Sequence, residues 1–102
     1  MDMNQMMAQA QQMQLELARA QEEIQGMTYT ATTGGGMVEV TALGSGSIES
    51  IKIDPEVVDP EDVEMLEDMV LAAVNEALRG VAEAGERRLS AVTGGMSIPG
   101  LF

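Results

Sequence analysis

Four arginines, Arg19, Arg79, Arg87 and Arg88, carry most of the positive charge of this chain, and Lys52 is its single lysine. A guanidinium stays charged at any working pH and its planar fork of donors matches phosphate, so these residues offer recognition of an anion. Gln5, Gln9 and Gln12 add neutral amides near the start, each able to donate and accept hydrogen bonds with phosphate or with base edges. There is no His and no Cys in the 102 residues, which removes imidazole acid-base catalysis, thiol nucleophiles, disulfides and the usual zinc ligands. Lys52 has no paired base in the sequence that would make it a nucleophile. The expectation is a chain without catalytic residues, cofactor or metal centre.

Two other groupings have chemistry in principle. Asp59, Glu61, Asp62, Glu64, Glu67 and Asp68 cluster carboxylates that attract divalent cations, but the EF-hand spacing and its turn glycine are missing. The cluster reads as a solvated face that stabilises the start of a helix. Gly34-Gly35-Gly36 and Gly44-Ser45-Gly46-Ser47 have neither a Gly-Lys-Ser/Thr ending nor a complete Gly-x-Gly-x-x-Gly, so they read as hairpin connections and not as phosphate loops. Arg87 and Arg88 also have a plain role, since cations near a helix C-terminus complement its dipole and Glu83 is spaced to pair with Arg87.

The net charge is −12, from 17 acids against 5 bases, and over the whole molecule it repels a polyanion. Its distribution is uneven: −3 for residues 1–25, −1 for 26–53, −9 for 54–78 and +1 for 79–102. Apolar residues make up 45%, too many for a disordered acidic tail, while one Tyr, one Phe and ten Met predict a thin, aliphatic, Met-rich core. So small a domain leaves an apolar face uncovered, and a two-fold homodimer is the common remedy. The N-terminus lacks a basic region ahead of an apolar run, and the longest apolar run, Met69 to Val74, is far too short for a membrane span. The expectation is a cytoplasmic protein with no membrane partner.

The elements that must position these residues follow from periodicity. Met3 to Gln25 has no Gly or Pro and is built of strong helix formers. Met3, Met6, Ala10, Met13, Leu17, Ala20, Ile24 and Met27 fall at alternating three- and four-residue steps, a seam that needs a partner helix within the protomer or across a dimer. Met6, Met13, Leu17 and Ile24 are its candidate contact residues. From Met27 to Ile53 the period becomes two, predicting three short strands around Thr28 to Thr32, Val38 to Ala42 and Ile51 to Ile53, joined as an antiparallel meander. Asp59 and Pro60 predict the start of a second long helix, with Asp59 as N-cap and Val63, Leu66, Val70, Ala73, Ala77 and Val81 as its inner stripe, ending at Gly94-Gly95. The predicted class is α+β, with one domain over 1–93 and an apolar Gly- and Pro-containing tail over 94–102, docked or mobile. If the two helices pack antiparallel, the acidic stretch lies near the sheet, and Arg79, Arg87 and Arg88 lie at the far end beside the Gln-rich start of the first helix. Arg19 then sits nearer the middle.

In this order the segments resemble the YbaB/EbfC family of nucleoid-associated proteins. The resemblance rests on Met6-Met7-Ala8-Gln9-Ala10-Gln11-Gln12-Met13, Gly34-Gly35-Gly36-Met37-Val38-Glu39-Val40, Ile51-Lys52-Ile53-Asp54-Pro55, the stretch Met65 to Ala77, and Gly94-Gly95-Met96-Ser97-Ile98-Pro99-Gly100. It implies a cytoplasmic, nucleoid-associated homodimer with projecting helical arms that binds duplex DNA without catalysis, in the setting of replication or recombination proteins. Arg19, Arg79, Arg87 and Arg88, with Gln5, Gln9 and Gln12, are the candidate DNA contacts. One departure is visible: family members that bind DNA tend to carry lysines along the arms, whereas the first helix here has only Arg19. The alternative is an acidic protein-interaction module of the same fold that recruits a replication or repair partner and binds DNA weakly or not at all.

Overall fold

The computed structural model describes residues 2–94. Helix α1 spans Met3–Gly26, strands β1 (Thr28–Thr33), β2 (Val38–Leu43) and β3 (Ile48–Ile53) follow, and helix α2 runs from Val63 to Thr93. The α+β order read from the sequence is the one observed. The tail from position 95 onward lies outside the described residues, as does the expectation that it docks or stays mobile.

Each helix begins on a carboxylate. Asp2 accepts a hydrogen bond from the Gln5 amide at 2.8 Å and Asp62 one from the Met65 amide at 3.3 Å, satisfying donors that a first turn leaves free. The start of α2 is therefore three residues later than the Asp59-Pro60 pattern predicts. Asp59 instead closes a tight turn, its carboxylate accepting from the Glu61 amide and its carbonyl from the Asp62 amide, both at 2.9 Å. The same residue types that cap helices also make such side-chain turns, and here the turn comes first. At the other end Gly94, with φ of 65°, donates its amide to the Ser90 carbonyl and stops α2.

The sheet is a meander in the order β1-β2-β3, antiparallel throughout. Gly34, Gly35 and Gly36 all take positive φ, which is why three glycines make the first connection. Between β2 and β3 the register shifts: Thr41 pairs with Ser50 but Ala42 with Ile48, leaving Glu49 as the extra residue of a bulge. Alternation then sorts the side chains. Ala31, Val38, Val40 and Ala42 face α2 and are buried against Ala73, Ala77 and Val81, with Val57 closing one end. Thr30 and Thr41 bond hydroxyl to hydroxyl at 2.8 Å on the exposed opposite face.

Helix α2 lies along β1 and β2 in the direction opposite to β1. Its Met69 carbonyl accepts from the Thr33 hydroxyl at 2.9 Å, and eleven residues later Gly80 lies against the Tyr29 ring. Beyond the sheet it meets α1, where Gly85 faces Ile24. The first half of α2 is thus occupied by the sheet, and only the stretch from about Val81 onward remains to pair with α1. Met13, Leu17, Ala20 and Ile24 of the seam are covered, but Met3, Met6 and Ala10 are exposed, as is every described residue before Met13. Within one protomer the seam is therefore partnered over its second half only. The chain is correspondingly long, 72 × 20 × 18 Å, with a radius of gyration of 19.5 Å. A compact chain of this length has about 13 Å.

Candidate nucleic-acid interface

The polar residues of α1 line up. At about 100° per residue, Gln5, Gln9, Gln12, Glu16, Arg19 and Glu23 fall within an arc of about 80° on one side of the helix. Gln12 donates to Glu16 at 3.2 Å, and the stripe then reaches α2 at Glu23, which accepts from Arg88 Nε at 2.7 Å and Nη2 at 3.4 Å. Glu16, Arg19, Glu23 and Arg88 line one cleft between the helices, floored by Ala91 and Val92. A two-toothed bond of this kind shifts both partners. The Arg88 guanidinium, by hydrogen bonding and then by its charge, holds the Glu23 carboxyl below its ordinary value of 4.5, and Glu23 raises Arg88 in return.

The other arginines are distributed around this joint. Arg87 is exposed and lines a shallow hollow with Glu83, Glu86, Ser90 and Gly94. The Glu83–Arg87 ion pair that the spacing allows does not form among the described residues. Arg79 pairs with Glu76 and sits at the level of the sheet, next to Gly80. Nine residues from Arg88, it lies about 14 Å away along α2 and about 180° around it.

The expected placement therefore needs correcting in two respects. Arg87 and Arg88 lie beside the C-terminal half of α1, not beside Gln5 and Gln9, which stand about 20 to 27 Å further out by the rise of the helix. Arg79 does not join them. The reason is length: α2 crosses the sheet before it reaches α1, so its arginines meet α1 late. The structure brings Arg19 and Arg88 together with Glu16 and Glu23, while Gln5, Gln9 and Met6 are on the exposed half of α1.

Glu23 is the residue that sequence reasoning did not single out, since its partner is 65 positions away and no local pattern marks the pair. The acidic stretch is where it was expected, at the sheet end of α2. Asp68 and Arg88 are separated by about 30 Å of helix, nearly four Debye lengths of about 8 Å at physiological salt. The acids that remain near Arg19, Arg87 and Arg88 are Glu16, Glu22, Glu23, Glu83 and Glu86. Among the described residues no acidic cluster is placed to hold a metal ion, and no helix is long and apolar enough to cross a membrane.

A second surface lies on the opposite flank of α2. Ile51 and Ile53 pair with Val40 and Val38, so they point to the helix-covered face, yet they are 46% and 39% exposed because α2 covers β1 and β2 only. With Leu66, Val70, Leu71 and Val74, Ile53 lines an apolar groove along the β3 side of α2. Leu71 is 60% exposed there. In the sequence the signal was that Leu71 falls outside the inner stripe of α2.

Known proteins are similar to this chain in sequence and in fold. A nucleoid-associated protein of Thermoanaerobacter pseudethanolicus is 52% identical over 101 residues, covering 99% of this chain and 91% of the relative. One of Pelotomaculum thermopropionicum is 50% identical, covering 99% and 96%. The crystal structure of an uncharacterized protein from Helicobacter pylori superposes with a TM-score of 0.72 at 26% identity, over 92% of this chain and 99% of that one. The model of the YbaB/EbfC DNA-binding family matches residues 1–96, and the chain belongs to that family.

Proposed function

We propose that this chain is a nucleoid-associated protein that works as a non-catalytic homodimer and grips duplex DNA with its helices, the outer half of α1 serving as a projecting arm. The observation that carries this reading is the polar track from Gln5 through Gln12, Glu16, Arg19 and Glu23 to Arg88, set about 30 Å along α2 from the acidic cluster that ends at Asp68. Arg19, Arg87 and Arg88 contact phosphate at the joint of the helices. Gln5, Gln9 and Gln12 supply hydrogen bonds further out to phosphate or base edges. The apolar groove beside β3 supports the homodimer, since two copies that bury it satisfy both. A dimer also presents two arms.

Few cations act here against many acids, so binding is weak and steeply dependent on salt. Fluorescence anisotropy of a labelled duplex titrated with the protein at several salt concentrations tests this. Saturable binding that weakens as salt rises is expected; no binding at low salt by a folded, dimeric protein overturns the DNA reading.

One observation favours a second reading. Met3, Met6 and Met7 are 76%, 58% and 55% exposed on the outer half of α1, an adaptable apolar surface suited to a protein partner such as a replication or recombination factor. Partners that persist in a pull-down after nuclease treatment favour this reading, and loss of all of them counts against it.

A further inference from the structure

Resting on the DNA reading, we propose that Glu23 is a built-in competitor of phosphate: it occupies Arg88 in the free protein, and DNA must displace it. Arg88 uses Nε and Nη2 on the Glu23 carboxylate, the same edge that an arginine offers to two phosphate oxygens. While the pair is closed its charges cancel, so Arg88 neither attracts DNA at a distance nor releases a counterion from it. The pair is solvent-exposed, with 37% of the Arg88 side chain and 57% of the Glu23 side chain accessible, so a phosphate reaches it without any rearrangement of the fold. An exposed ion pair is weak enough to be exchanged. Arg19 lines the same cleft and has no carboxylate within ion-pair distance among the described residues. Phosphate arriving at Arg19 is thereby placed next to the Glu23–Arg88 pair. Glu23 is thus a positioning residue, which sets how much of the arginine charge at the joint is available.

The test is a double-mutant cycle in the full chain, read by anisotropy of a labelled duplex across salt concentrations. Glu23→Gln is expected to tighten binding by about three- to tenfold at low salt and to steepen the salt slope by about one unit for each engaged protomer. In an Arg88→Ala background the same substitution is expected to give only the small gain that follows from removing any nearby acid, measured with Glu22→Gln. The Arg88 Nε resonance shifts in Glu23→Gln before DNA is added. A Glu23→Gln gain that is equal in the two backgrounds, or an unchanged salt slope, overturns the inference while leaving DNA binding standing. A wild-type chain that binds no duplex overturns both.

Discussion

Gly80 of α2 lies against the aromatic ring of Tyr29 in β1, so closely that a Cβ at position 80 has no room. The contact lets α2 settle onto the sheet just before it departs toward α1. A ring held by its own strand moves less readily than a flexible side chain. Gly80→Ala gains about 1 kcal/mol of helix propensity but loses more to overpacking, so a net destabilisation of about 1 to 2 kcal/mol is expected. Thermal unfolding followed by circular dichroism measures it, and an unchanged or raised midpoint contradicts the contact.

Val40 is fully buried between Ala31 and Ile51 in register and under α2. Removing its two methyl groups loses their transfer energy and leaves a void that Ala73 and Ala77 cannot fill, so Val40→Ala is expected to cost about 2 to 3 kcal/mol. Urea titration should show a lower midpoint with an unchanged slope. A loss under 0.5 kcal/mol, roughly the level of a surface substitution, would place Val40 outside the core.

Acid should loosen the joint between the helices. The Glu23 carboxyl titrates below 4.5 in the folded chain, so its contribution is complete above its unfolded value and disappears as pH falls through the folded one. The difference in melting temperature between wild type and Glu23→Gln is expected to be present at neutral pH and to vanish in this acid window. A difference that stays constant down to pH values well below 4.5 would mean that the ion pair contributes nothing.

The arginines should not be equivalent toward DNA. Arg79 is paired with Glu76 and lies about half a turn of arc away from Arg88, beside the sheet. Arg87→Ala/Arg88→Ala is expected to weaken duplex binding by roughly tenfold or more at low salt and to flatten the salt slope, while Arg79→Ala changes affinity less than about threefold. Equal losses would move the contact surface toward the sheet.

A charge in the apolar groove should separate the protomers. Leu71→Glu places a carboxylate between Ile53, Val70 and Val74, where burial in a dimer leaves it without a partner. Analytical ultracentrifugation is expected to show a dimer for the parent and a folded monomer for the mutant. A mutant that dimerises as tightly as the parent removes the groove from the interface.

The sequence by itself determined the elements, because each rests on a local rule. The three-and-four spacing from Met3 to Ile24 makes a helix whatever surrounds it, the alternation of Val38, Val40 and Ala42 makes a strand with one buried face, and the glycine triplet makes a turn that needs positive φ. It also placed the acidic stretch at the sheet end of α2. Local rules misled at Asp59, where a side-chain turn competes with a helix cap for the same residue type. What only the tertiary structure decided is how far along each other the two helices lie. Crossing β1 and β2 occupies α2 as far as Gly80, so Arg88 meets Glu23, Arg79 stays beside the sheet, and Met6 and Gln5 stand clear on the outer half of α1. Such a contact joins residues 65 positions apart and is set by the summed packing of a helix on a sheet, which no local spacing records.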